Sequence, residues 1–247
     1  MEEKWWFKDW FNSPYYHLLY ANRDESEAAA FIAALIQLLK PNAGAKMLDV
    51  GCGRGRHSRQ LAALGYEVTG IDVAPENIRF ANQFATPHLH FEIHDMRQLY
   101  AARSMDFVFN FFTSFGYFNS LQDHKSALRM MATTLRKNGV LILDYVNDQV
   151  AIQQLVKKET KVIRQVQFTI ERWFDETHLY KRIEVADPRK EVALSHTEKV
   201  ARFTNQKLWS LLNQQGLTIK TIWGDYQLNP FVNNQSPRMI FHAMREN

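Results

Sequence analysis

The chain has 247 residues and is 46% hydrophobic, enough for one large domain or for a domain carrying an inserted subdomain. Its formal net charge of +4 is spread along the chain, with no Lys/Arg run of the kind that makes a nucleic-acid arm. The single cysteine, Cys52, excludes an intrachain disulfide and a thiolate metal cluster; with no signal-peptide pattern at the start and no apolar stretch of membrane-spanning length, a soluble cytoplasmic protein without a metal centre is expected.

Residues 1–23 are rich in aromatics, among them Trp5, Trp6, Trp10, Tyr15, Tyr16 and Tyr20, too apolar a set for a disordered tail. They predict a short helix packed on the domain, which can also act as a lid over a bound ligand, with Tyr15, Tyr16 or Tyr20 near the reacting group and Tyr16 and Tyr20 as candidate acceptor contacts. Asp24-Glu-Ser-Glu27 has the capping-box pattern. Phe31, Ile32, Leu35, Ile36, Leu38 and Leu39 then recur at helical spacing until Pro41 ends the helix.

Met47–Val50 reads as a buried parallel strand, followed by Gly51, Gly53 and Gly55 at alternate positions and a helix starting near Arg56. Alternating glycines let the backbone turn sharply and let a ligand approach with no Cβ in the way. The helix that follows points its free N–H groups at the same place. Asp49 would repel a phosphate there and suits a cationic amine or a sulfonium-bearing amino acid instead. The dinucleotide fingerprint G-x-G-x-x-G/A fits Gly51 and Gly53 but places Arg56 where a small residue is needed. An ordinary tight turn between strand and helix is the reading without a ligand.

Asp49-Val50-Gly51-Cys52-Gly53-Arg54-Gly55 resembles the first motif of the class I S-adenosylmethionine-dependent methyltransferases. The resemblance implies an α/β fold, a Rossmann-like seven-stranded and mostly parallel sheet with helices on both faces. It also implies S-adenosyl-L-methionine as cofactor, its amino-acid end held by Asp49 and by the loop residues Gly51, Cys52, Gly53 and Gly55.

Tyr66–Ile71 is the second strand and ends in Asp72, 21 residues after Gly51. A carboxylate there, beside Val73, can accept both hydroxyls of an adenosine ribose; it can equally cap the helix that Pro75 opens. His88–Ile93 alternates as the third strand and is followed by Asp95 and Met96. The resemblance assigns Asp95 to the adenine amino group and the Met96 N–H to a ring nitrogen, with the thioether free to lie against the ring. Met105–Phe112 is apolar on both faces, as a central parallel strand should be. Carboxyl ends of such strands are where α/β sheets bind ligands. Asn110 and Phe111 should therefore approach the methionine part of the cofactor, and Phe112, Phe115 and Tyr117 should wall the pocket, where rings can face a sulfonium.

Ser120 caps the next helix, which buries Leu128, Met131 and Leu135 and ends at Asn138-Gly139; Val140–Tyr145 is the fifth strand. After Asn147 the pattern changes. Residues 162–170, 177–185 and 191–201 alternate, with turn signals at Asp175-Glu176 and Asp187-Pro188, and predict a small three-stranded antiparallel β insertion. Arg172, Arg182 and Arg202 read as surface residues of the insertion, of which one, with Arg182 as the candidate, could hold an acidic acceptor. Thr204 caps a last helix, and residues 217–223 and 238–244 form a terminal hairpin whose loop carries Tyr226, a further candidate acceptor contact. The expected units are an N-terminal helical cap (1–40), a cofactor-binding core (41–150), the antiparallel insertion over the active site (151–203), and a C-terminal helix and hairpin completing the sheet (204–247).

The activity implied is methyl transfer to an O or N atom of a small-molecule acceptor by in-line displacement, the protein aligning the reacting atoms and excluding water. The sequence singles out no catalytic base: His17, His124, Tyr117 and Asp144 are candidates. Asn110-Phe-Phe-Thr113 lacks the Pro-Pro of amino-directed nucleic-acid enzymes, so neither nucleic acid nor membrane is expected as partner; monomer and homodimer both stay open. The alternatives are an NAD(P)-dependent oxidoreductase and a non-catalytic S-adenosylmethionine-binding module.

Overall fold

The computed structural model describes residues 6–21, 25–190 and 192–246; Trp5, and Asp24 of the expected capping box, lie outside them. The described chain begins with the helices α1 (Trp6–Phe11), α2 (Pro14–Leu19) and α3 (Glu25–Leu39). Strands and helices then alternate: β1 (Lys46–Val50), α4 (Arg56–Ala63), β2 (Glu67–Asp72), α5 (Pro75–Ala81), β3 (Leu89–Ile93), β4 (Met105–Asn110), α6 (Leu121–Thr134) and β5 (Leu135–Val146). After α7 (Asp148–Gln153) come β6 (Lys158–Ile163), β7 (Val166–Phe174), β8 (His178–Asp187) and β9 (Val192–Ala201), and finally α8 (Asn205–Asn213), β10 (Leu217–Trp223) and β11 (Arg238–Arg245).

The main sheet runs β10-β11-β5-β4-β1-β2-β3. The five strands β1 to β5 pair parallel, and β11 lies antiparallel between β5 and β10. Burial explains the order. Every position of β4 is buried, as a strand covered on both faces requires, whereas β3 alternates because it is an edge. On one face α6 and α8 set Leu128, Met131, Leu208 and Leu211 against Leu141 and Leu143. On the other, α3 and α4 set Phe31, Ile32, Leu35 and Leu61 against Met47, Phe107, Phe109 and Ile142. Each such side chain contributes about 1.5–3 kcal/mol on burial.

The antiparallel sheet β6-β7-β8-β9 is separate, and its inner face supplies a third core. Val166, Phe168, Ile170, Ile183 and Val185 pack on Trp10, Tyr15 and Leu19, which fixes the N-terminal helices. Ser13 caps α2 by accepting from the Tyr15 N–H, and the Tyr15 hydroxyl donates to Asp187 Oδ2 at 3.2 Å.

Three local expectations are corrected. The insertion has four strands, because Arg164 and Gln165 both take positive φ (49° and 69°) and turn the chain between β6 and β7. Two consecutive left-handed residues without Gly or Asn leave no local signal for that hairpin. The helix α6 stops at Thr134, four residues early, with Leu135 already paired to Met105. Its last carbonyls find distant donors: Arg245 Nη1 reaches those of Ala132 and Thr133, and also that of Leu135, at 2.9–3.1 Å. The fourth strand ends at Asn110 rather than Phe112, since Phe112 and Thr113 are both left-handed (φ 58° and 57°).

Candidate active site

The glycine loop is tied down at the carboxyl end of β2. The N–H groups of Gly51 and Cys52 both donate to the Ile71 carbonyl, at 2.8 and 3.0 Å. Asp72 clasps the loop from the side: Oδ2 accepts from the Gly53 N–H at 2.9 Å and Oδ1 from the Ala74 N–H at 2.8 Å. A Cβ at Gly51 would stand 2.6 Å from Ser114 Cβ, so the loop can approach the post-β4 segment only with glycine there. At Gly53 a Cβ would meet nothing within 4 Å, and this glycine faces open space.

That space is a cavity of about 820 Å³ running from the strand ends to the N-terminal helices and the second sheet. Of the residues expected to bind cofactor, Gly51, Cys52, Gly53, Asp72, Val73, Asp95, Met96 and Phe111 line it. Of those expected to meet an acceptor, Tyr16, Tyr20 and Tyr117 line it. The structure thus brings together eleven residues spread from position 16 to 117. Asp95 also receives the Arg97 side chain, with Nη2 at 2.5 Å from Oδ2, which orients its carboxylate at the wall.

Six expected residues lie elsewhere. Asp49 is buried beneath the loop, where its Oδ2 accepts from Ser58 Oγ at 2.6 Å at the start of α4; it supports the loop and does not line the cavity. Gly55 is also beneath it, against Phe91. Asn110 is fully buried and donates to the Val50 carbonyl at 2.8 Å, tying β4 to β1. Phe115 stacks on Phe203 in the core. Arg182 pairs with Glu171 across the second sheet. Tyr226 packs against Phe31 and donates to Asp144 Oδ2 at 3.1 Å. Two proposed bases are likewise displaced. His124 is buried against Phe115, Phe118 and Phe203. Asp144 accepts from the Phe112 N–H at 2.7 Å and from Arg238 Nε at 2.7 Å, a structural tie behind the cavity wall.

Burial governs the titratable groups of the wall. It pushes the carboxyl of Asp49 up to about 7, against the Ser58 hydrogen bonds, and raises that of Asp72 against its backbone donors. It also raises the Cys52 thiol well above its ordinary range, so Cys52 is a packed wall residue and not a thiolate. Burial, with Arg54 nearby, lowers His17 to about 4, and burial with Arg56 lowers His57 to about 3. Both imidazoles are neutral at pH 7, and His17 keeps Nε2 without a hydrogen-bond partner.

Sequence reasoning did not single out the wall residues Phe11, Asn77, Glu198 and Val200. Glu198 and Val200 belong to β9, expected as a strand of the insertion over the site, but alternation does not point to these two residues. Their distance from the glycine loop in sequence hid them. Among the described residues no His, Cys, Asp and Glu group could hold a metal ion, and no helix is long and apolar enough to cross a membrane.

A family model described as a methyltransferase domain matches residues 41–216. A ubiquinone biosynthesis O-methyltransferase from Xanthomonas axonopodis pv. citri (strain 306) is 32% identical over 152 residues, 60% of this chain, and the chain spans 58% of that relative's length. A dTDP-3-amino-3,4,6-trideoxy-alpha-D-glucopyranose N,N-dimethyltransferase from Streptomyces venezuelae is 23% identical over 218 residues, covering 85% of this chain and 91% of its own. In structure, an S-adenosylmethionine-dependent methyltransferase from Clostridium acetobutylicum ATCC 824 superposes with a TM-score of 0.78 at 17% identity, over 94% of this chain and 96% of that one.

Proposed function

Because the chain belongs to the methyltransferase-domain family, we propose that it transfers a methyl group from S-adenosylmethionine to an N or O atom of a small-molecule acceptor. The observation that carries this reading is the single cavity with two differently built arms. One arm joins the glycine loop to Asp72, Asp95 and Met96; the other is walled by Phe11, Tyr16, Tyr20, Tyr117, Leu179 and Val200. A dinucleotide oxidoreductase would need a small residue at Arg56, and a purely binding module has no use for the second arm.

The residues present fit the cofactor. Gly53 leaves a face that a Cβ would fill. Asp72 uses its oxygens toward two backbone N–H groups and still faces the cavity, so it can accept ribose hydroxyls. Asp95 would accept from the adenine amino group, and Met96, whose methyl lies near Gly51, would pack beside it. When bound, the cofactor supplies an activated methyl on a positively charged sulfur. The chain's own task is to hold acceptor and methyl in line and keep water out. The aromatic arm serves both ends, and N-terminal helices fixed to the second sheet close it from above. The reading includes the units 41–150 as cofactor core and 1–40 with 151–203 as acceptor cover, and a cytoplasmic location.

The test is calorimetric titration with S-adenosylhomocysteine and, separately, with NAD⁺ and NADP⁺. Saturable binding of the first alone is expected. Binding of a nicotinamide cofactor in its place would refute the reading.

A further inference from the structure

Glu198, on β9, lines the acceptor arm with its side chain 16% exposed. Its Oε1 already accepts twice, from Trp10 Nε1 at 2.8 Å and from the Tyr20 hydroxyl at 2.7 Å. Among the described residues its Oε2 has Lys181 Nζ at 3.8 Å, an ion-pair distance beyond hydrogen-bond reach. A carboxylate oxygen on the wall of a largely apolar pocket is costly unless a donor meets it. Trp10 and Tyr20 both donate to Oε1, and among the described residues no hydrogen-bond donor meets Oε2, so a donor in the cavity can.

The neighbouring rings narrow what that donor is. Phe11 meets Tyr16 at 5.0 Å and 63° and Tyr117 at 5.3 Å and 71°, so three rings stand at steep angles on one side of the arm. Leu179 and Val200 complete it. Ring faces attract cations and repel anions. Of the described cations, Lys181 forms a long ion pair with Glu198, lies over the Tyr20 ring at 4.3 Å and does not line the cavity; Arg54, Arg56 and Arg59 line it on the glycine-loop side, Arg54 over Phe80 at 4.4 Å, Arg56 over Phe112 at 5.7 Å and Arg59 paired with Glu25.

We propose that the acceptor is a primary or secondary amine, recognised by Glu198 Oε2 within the aromatic walls of Phe11, Tyr16 and Tyr117; the proposal rests on the methyl-transfer reading. The amine enters as its ammonium. One N–H proton passes to Glu198 Oε2, leaving a neutral amine with a free lone pair and a neutral carboxyl group, and that proton later returns to solvent. An anionic acceptor gains nothing from this arm, and a neutral hydroxyl gains the hydrogen bond without the attraction of the rings.

The test uses the protein saturated with S-adenosylhomocysteine and titrated calorimetrically with cyclohexylamine, protonated at pH 7, and with cyclohexanol, its neutral hydroxyl counterpart. Cyclohexylamine should bind about tenfold more tightly, the range of a desolvated cation–π site. Glu198→Gln keeps an acceptor oxygen for Trp10 and Tyr20, and Phe11→Leu keeps the volume; each should shrink the preference at least threefold while S-adenosylhomocysteine still binds. Equal affinity for the two probes, absence of cyclohexylamine binding, or a preference unchanged in both variants overturns the proposal. In turnover with S-adenosylmethionine, cyclohexylamine should be methylated and cyclohexanol not. Methylation of cyclohexanol alone overturns the amine and leaves methyl transfer standing; failure to bind S-adenosylhomocysteine overturns methyl transfer itself.

Discussion

Arg238→Met should be among the most damaging single changes outside the cavity wall. Arg238 Nη2 lies 2.6 Å from Asp144 Oδ1, with side-chain exposures of 15% and 1%. Removing the cation leaves Asp144 buried and unpaired, a loss of about 3–5 kcal/mol in unfolding free energy. The loss reaches the site because the pair holds the post-β4 loop. Asp144 accepts from the Phe112 N–H, Arg238 Nη2 donates to Thr113 Oγ1 at 2.8 Å, and Phe112 and Thr113 are both left-handed. Such residues cost roughly 1–3 kcal/mol each and persist only where surrounding contacts over-determine them. Urea unfolding measures the first effect and S-adenosylhomocysteine titration the second. Arg238→Met with Asp144→Leu should recover much of the stability, since a buried pair replaced by apolar groups is often neutral, but not the loop geometry. A single-variant loss under 1 kcal/mol, or a double variant that merely sums two separate losses, refutes the reasoning.

Asp72→Ala should weaken S-adenosylhomocysteine binding by roughly 1–3 kcal/mol, the range for a charged hydrogen-bond partner, and an unchanged dissociation constant would remove it from the ribose site. Gly53→Ala adds a Cβ to open space at φ 56°, so a melt without ligand should show a loss of only about 1–2 kcal/mol while calorimetry shows a larger loss of cofactor affinity. Burial holds Asp49 at about 7 in the folded chain, above its ordinary value of 3.8. Between those two values the folded chain keeps a proton that the unfolded chain has released, so stability falls as pH rises through that window. Relative to Asp49→Asn, the parent should lose on the order of 2–4 kcal/mol between pH 5 and 8. Parallel urea midpoints for the two proteins across that range would show that Asp49 is ionised throughout.

Much of the core could be read in one dimension. Central strands such as β4 must be apolar on both faces, and Ser120 and Thr204 announce helix starts that the structure caps as expected, accepting from the Asp123 and Lys207 N–H groups. What misled was chemistry satisfied from far away. The end of α6 depends on Arg245, over a hundred positions later, and the β6–β7 turn depends on sheet pairing that overrides poor turn residues. Asp49 illustrates the same limit at the site. Its place beside the loop was legible, but whether its carboxylate faced a ligand or Ser58 was a matter of packing.

By itself the amino-acid order determined the parallel sheet, the glycine loop and the two acidic strand ends beyond it, because periodicity, glycine conformation and spacing along consecutive βα units are short-range properties. Only the tertiary structure decided what faces the glycine loop across the cavity. There α1, α2 and β9 converge, and Trp10 and Tyr20 donate to one oxygen of Glu198 while Lys181 stands 3.8 Å from the other. Those residues lie nearly two hundred positions apart, and no local rule couples them; a shared hydrophobic core under the second sheet does.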